Sequence, residues 1–189
     1  MKRVVMMGPP GAGKGTQGAL LALAMGVHRY STGEILREAR AAGTKLGREA
    51  MSFMDAGELV PDDVMLAIID EALASPEASP GYVLDGFPRT VAQADGLSAM
   101  LERAGRPLDA IVLLDVADDE LVRRLSGRSL EDGRADDAPE TVLKRLQVYA
   151  DETEPVVRWY RETTIPVLDI DGSGTIQVVQ SSIQERLGL

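Results

Sequence analysis

MMGPPGAGKGTQ, residues Met6–Gln17, sets four glycines and one lysine directly behind a short apolar run, Val4–Met7. A continuous apolar run, β-branched at its start and stopped by glycine, fits a strand buried on both faces of a parallel sheet. The segment that follows the glycines, Gln17–Met25 (QGALLALAM), reads as a helix. Strand, glycine loop and helix in that order are the setting in which a G-x-x-x-x-G-K stretch cradles phosphate. Glycine lets backbone N–H groups turn inward, and the helix N-terminus behind the loop adds its dipole and unpaired donors. One position departs from the general pattern. Lys14 is followed by Gly15, so the hydroxyl that usually ligates magnesium arrives one residue late, at Thr16.

Outward from this loop, three further segments look like buried strands: Tyr82–Asp85 (YVLD), Ala110–Asp115 (AIVLLD) and Ile165–Ile170 (IPVLDI). Val27–Ser31 reads as a short edge strand. Helical segments separate them, at 33–42, 45–56, 62–74, 90–104, 118–126, 140–161 and 175–187. Strands alternating with helices imply βαβ units, hence an α/β fold with a doubly wound parallel sheet covered on both faces. Two stretches break the alternation. Ser31–Val60 holds helices without a core strand and reads as a small helical flap. Gly127–Ala138 (GRSLEDGRADDA) is polar and carries both signs of charge, so it reads as a mobile surface loop.

The bulk composition narrows the function classes. With 189 residues, 44% hydrophobic and 26% charged, the chain suits one well-formed core. A formal net charge of −10 argues against nucleic acid or an anionic membrane surface as the main partner. There is no cysteine, which excludes disulfides and thiolate metal sites, and His28 is the single histidine. No apolar stretch approaches the ~18 residues of a membrane span, and the N-terminal apolar run is too short for a secretory signal. A cytoplasmic protein is the expectation.

A glycine loop alone says only that a nucleoside triphosphate binds. Further along, YSTGEILR (Tyr30–Arg37), GELVPDD (Gly57–Asp63), LDGFPRTVAQ (Leu84–Gln93) and GRADDAPETVLKRLQVY (Gly133–Tyr149) follow in order. With GPPGAGKGTQ, these motifs resemble the adenylate kinases of the nucleoside monophosphate kinase family, and the resemblance covers nearly the whole chain. It implies a five-stranded parallel sheet. The core would comprise 1–30, 61–126 and 138–189, with a monophosphate-binding flap at 31–60 and a lid of the short kind at 127–137. So short a lid leaves no room for the zinc-bearing insertion of longer relatives, so no zinc site is expected.

The resemblance also assigns roles. ATP would be bound by Gly11, Ala12, Gly13, Lys14, Gly15, Thr16, Arg128 and Gly174. AMP would be bound by Thr32, Arg37, Glu58, Leu59, Val60, Gly86, Phe87, Pro88, Arg89, Gln93, Arg134 and Arg145. Lys14, Arg89, Arg124, Arg128, Arg134 and Arg145 would act on the phosphates in transfer. Physical chemistry asks for such a set, because two polyanions must be brought end to end and guanidinium forks match phosphate geometry. Asp85, at the end of a buried strand beside the loop, would hold magnesium through water. Asp136 and Asp137 would orient lid arginines. The alternatives are a UMP/CMP kinase of the same fold, or a P-loop binding module that no longer transfers phosphate. Thr32 and Gln93 stand where the UMP/CMP kinases typically carry alanine and asparagine, which favours AMP. Glu34 stands where the motif more usually has aspartate. Magnesium with ATP as the only cofactor, nucleotides as the only partners, and a monomer complete the expectations.

Overall fold

The structure, a computed structural model, describes residues 3–132 and 139–189, and of these the side chains other than those of Met51 and 126–140. Among the described residues a five-stranded sheet runs in the order β2-β3-β1-β4-β5, with every neighbouring pair parallel. Its strands are β1 (Arg3–Met7), β2 (His28–Ser31), β3 (Tyr82–Asp85), β4 (Ala110–Asp115) and β5 (Val167–Asp171). The helices are α1 (Lys14–Met25), α2 (Thr32–Ala41), α3 (Lys45–Asp55), α4 (Asp62–Ala74), α5 (Val91–Arg103), α6 (Asp118–Asp132), α7 (Pro139–Val148), α8 (Glu154–Arg161) and α9 (Ile176–Leu187).

Side chains alternate across a strand, and here the alternation feeds two apolar cores. Val5, Met7, Leu84 and Ile111 point into one face, against Ile69 of α4, Leu97 of α5 and Val157 and Tyr160 of α8. Val4, Met6, Val83, Val112 and Leu114 point into the other, against Leu21 of α1, Leu121 of α6 and Ile183 of α9. Burial on both sides is why these strands read as unbroken apolar runs. The connection after β1 leaves toward β2, whereas the one after β3 crosses to β4 on the other side. The crevice outside the carboxyl ends of β1 and β3 is therefore a topological switch point, where open α/β sheets bind ligands.

The elements differ from the sequence reading in several places. α1 begins at Lys14, not Gln17, because Gly13 takes φ 94°, ψ 13° and caps the helix directly behind the glycine loop. β5 starts at Val167, after Pro166, which has no N–H for the ladder. α6 continues to Asp132, so residues 127–132 are helical rather than loop; Gly127 weakens a helix without ending one that is already propagating. Residues 133–137 of the expected lid, and Ala138 after it, lie outside the described residues. The single helix read over 140–161 is two helices joined by a π-helical turn, Tyr149–Thr153. Pro155, in the first turn of α8, cannot donate to a carbonyl one turn back, and the wider turn absorbs that mismatch.

Candidate active site

The site begins where the chain leaves β1. A Cβ on Gly8 would lie 2.6 Å from the Leu114 carbonyl oxygen, and φ there is 137°, so only glycine lets the backbone pass this close to β4. Lys14 Nζ folds back across the loop and donates to the carbonyls of Gly8 (2.7 Å) and Pro9 (2.8 Å). Gly11, Gly13, Lys14, Gly15 and Thr16 line a groove of about 520 Å³. Ala12 lies in the same loop. Its N–H donates to the Pro9 carbonyl (3.1 Å) and its side chain is buried in the core, so it shapes the loop from beneath.

The second loop follows β3 and contains a cis peptide between Phe87 and Pro88. The Gly86 carbonyl accepts from Thr32 Oγ1 (2.9 Å) and from Arg89 Nε (2.8 Å). Arg89 is held by its backbone as well: its N–H donates to Gln93 Oε1 (2.8 Å), and its carbonyl accepts from Thr153 Oγ1 (2.9 Å). Gln93 is itself fixed, since its Nε2 donates to Asp62 Oδ1 (2.7 Å). Thr32, Glu58, Leu59, Val60, Gly86, Arg89 and Gln93 share a pocket between the α2–α3 pair and the main body.

A third cavity joins these two. It takes Lys14 from the glycine loop, Arg37 from α2, Phe87, Pro88 and Arg89 from the second loop, and Arg145 and Tyr149 from α7 and the π-helical turn. Lys14, Arg37, Arg89 and Arg145 line both this cavity and the glycine-loop groove, so four cations stand at their seam. Burial first, then the nearby Glu154 and Asp115, push the Tyr149 hydroxyl up to about 12, so it remains a neutral hydroxyl.

Arg124 lines the groove from α6. It is held there by Glu120 Oε1 (2.6 Å) and donates through Nη2 to the Gly172 carbonyl (3.0 Å). Hydrogen bonds from Arg123 and Arg124 pull the Glu120 carboxyl down to about 2. Gly172 closes against the loop, a Cβ there reaching within 3.5 Å of the Ala12 carbonyl oxygen. Gly174, by contrast, faces Val178 and does not line these cavities. The Arg128 side chain and all of Arg134, Asp136 and Asp137 fall outside the described residues.

Asp85 is 8% exposed at the end of β3, and its Oδ2 accepts from Arg29 Nη1 at 2.9 Å. Arg29 Nη2 donates to Glu34 Oε1 as well. Among the described residues no group of three or more His, Cys, Asp or Glu side chains is placed to cage a metal. Asp85, Glu34 and Thr16 nevertheless put oxygen donors on the groove. That donor set fits magnesium carried on nucleotide phosphates and met through water.

The sequence reading missed Arg29, Asp62, Tyr149 and Thr153. Arg29 carried no local signal: β2 is an edge strand of mixed polarity (HRYS), in which a basic residue breaks no apolar pattern. Pro155 within a helical run could have flagged the π-helical turn that carries Tyr149 and Thr153.

Cations gathered at the seam of two cavities, one of them floored by a glycine loop, make a phosphoryl-transfer site of the P-loop class. The adenylate kinase family model matches residues 6–165. The chain is 47% identical over 181 residues to an adenylate kinase of Stenotrophomonas maltophilia, covering 96% of each chain. It is 46% identical over 187 residues to one of Leptospira biflexa, covering 99% of this chain and all of the other. Against one of Gemmatimonas aurantiaca it is 44% identical over 209 residues, covering 97% and 98%. The chain belongs to the adenylate kinase family, and is a phosphotransferase by that membership. No helix among the described residues is long and apolar enough to cross a membrane.

Proposed function

We propose that the chain transfers the terminal phosphoryl group of magnesium ATP to AMP, reversibly, giving two ADP. The observation that carries this reading is the seam, where Lys14, Arg37, Arg89 and Arg145 face both cavities. ATP lies along the glycine loop, with Gly11, Gly13, Gly15 and Thr16 at its phosphates and Lys14 at the terminal pair. AMP lies with its base in the Thr32–Gln93 pocket and its phosphate toward Arg37, Arg89 and Arg145. An oxygen of the AMP phosphate bonds to the γ-phosphorus as the bond from that phosphorus to the β,γ-bridging oxygen breaks; ADP leaves with that oxygen. Arginines positioned across the transferred group hold charge that water would otherwise have to solvate. Magnesium bound with ATP would neutralise phosphate charge, and Asp85 would hold it through water. Arg128 and Arg134 join the phosphate contacts from the 127–137 lid. Closure of that lid and of the 31–60 flap would exclude water, since an open site would pass the phosphoryl group to water and hydrolyse ATP.

The monophosphate is argued from hydrogen bonds. The Thr32 hydroxyl spends its proton on Gly86 and so presents lone pairs, which suit an exocyclic amine. Gln93, pinned between Arg89 and Asp62, offers its second amide hydrogen and second lone pair to the rest of an adenine edge. A monomer acting in the cytoplasm on free nucleotides fits a site built within one chain.

A coupled assay of ADP formation tests the reading. With ATP, AMP and Mg²⁺ the chain should form ADP, and none formed would leave a silent P-loop module. In the same assay AMP should exceed UMP, CMP and GMP; a preference for UMP would overturn the reading of Thr32 and Gln93.

A further inference from the structure

We propose that Arg29 is a positioning residue that spans Asp85 and Glu34, keeping divalent metal off the free protein so that the ion enters only with nucleotide. The inference rests on the glycine-loop groove being the site of magnesium ATP. Arg29 lies on β2, Glu34 on the first turn of α2 and Asp85 at the end of β3, and all three line that groove. One guanidinium serves both carboxylates, Nη1 on Asp85 Oδ2 at 2.9 Å and Nη2 on Glu34 Oε1. The fork is planar and stiff, so it sets the direction of each carboxylate as well as its charge.

The stem of Arg29 is seated too. A Cβ on Gly18 of α1 would come within 3.4 Å of Arg29 Cδ, so the helix leaves the arginine just enough room to run beneath it. Asp85 Oδ2 lies 3.6 Å from where a Cβ of Gly15 would be, which places the carboxylate under the first turn of α1. Burial works against the guanidinium charge, but Glu34 and Asp85 outweigh it, and Arg29 is held more firmly charged than an ordinary arginine.

Without Arg29, two carboxylates would face one groove with nothing between them. Hard cations take such oxygen pairs directly. With Arg29 in place both inner positions are taken by N–H donors, and the outward lone pairs of Asp85 are left for water on an incoming ion. Glu34, one methylene longer than the aspartate usual in this motif, reaches the far side of the fork.

Mn²⁺ titration of the nucleotide-free protein, followed by electron paramagnetic resonance, tests the inference. The unaltered protein should bind no Mn²⁺ below millimolar concentration. Arg29→Met should gain a site about tenfold tighter or more, the order expected of removing an adjacent unit charge. Adding Asp85→Asn should abolish it, and Arg29→Lys, which keeps the charge, should bind as the unaltered protein does. Circular dichroism melts show which variants are folded, and Arg29→Gln replaces Arg29→Met if the latter is not. A sub-millimolar site in the unaltered protein overturns the inference, as does a folded Arg29→Met or Arg29→Gln with no gain. A second readout is ADP formation against free Mg²⁺ at saturating magnesium ATP. Excess Mg²⁺ should inhibit Arg29→Met where the unaltered enzyme stays level, and equal profiles would overturn the inference. If the unaltered protein forms no ADP while the Mn²⁺ titrations behave as stated, the kinase reading falls and the charge assignment of Arg29 stands.

Discussion

Arg89 is tied down at three atoms: its Nε to Gly86, its N–H to Gln93 and its carbonyl to Thr153. Such anchoring fixes where the guanidinium can reach before any nucleotide arrives, and positioned charge is what phosphoryl transfer demands. Arg89→Ala should therefore lower turnover by about 10³-fold or more while shifting the melting temperature little. The ADP assay and a thermal melt on the same sample check this, and lost folding with unchanged activity per folded molecule would refute it. Thr153→Val keeps the shape of a buried side chain and removes the O–H that satisfies the Arg89 carbonyl. It should cost about 1–3 kcal/mol of stability, read by denaturant unfolding. It should also lower kcat more than it raises KM for ATP, because the arginine it steadies acts on the transferred group.

Among the elements, the glycine loop and the π-helical turn show different degrees of legibility. Gly8 to Thr16 could be read directly, because glycine spacing behind a strand is a local pattern with a mechanical reason. Its tightest point is Gly8, where φ is 137° and the Leu114 oxygen is 2.6 Å from a would-be Cβ. Gly8→Ala should lower the unfolding free energy by more than about 1 kcal/mol and weaken ATP binding, checked by denaturant unfolding and by calorimetry with a non-hydrolysable ATP analogue. The π-helical turn was not read, since a helical period looks the same with or without one widened turn. Only Pro155 marked it. Yet that turn supplies Thr153 to Arg89 and Tyr149 to the central cavity. Likewise, α6 runs six residues past the expected start of the lid, because polar composition signals exposure rather than lack of helix.

At the scale of the molecule, the two apolar faces of the sheet carry the fold and an acidic surface surrounds it. Thirty Asp and Glu against twenty Lys and Arg leave a self-repelling exterior. Salt screens that repulsion over roughly 10 Å at 0.1 M and less at higher concentration. Melting temperature should accordingly rise as sodium chloride is raised from low to molar concentration, and a fall would show that surface ion pairs such as Arg161–Asp169 outweigh the net charge. The fold class, the glycine loop and the strands were already determined by the sequence, because each is written in short-range pattern: apolar runs, glycine spacing, motifs in register. Which strand lies beside which, and which side chains meet across them, only the tertiary structure decided. Arg29 and Asp85 are 56 residues apart, and Arg89 and Thr153 are 64. No local pattern encodes such pairs, since they exist only once the crossovers bring β2 beside β3 and pack the π-helical turn over the loop that follows β3.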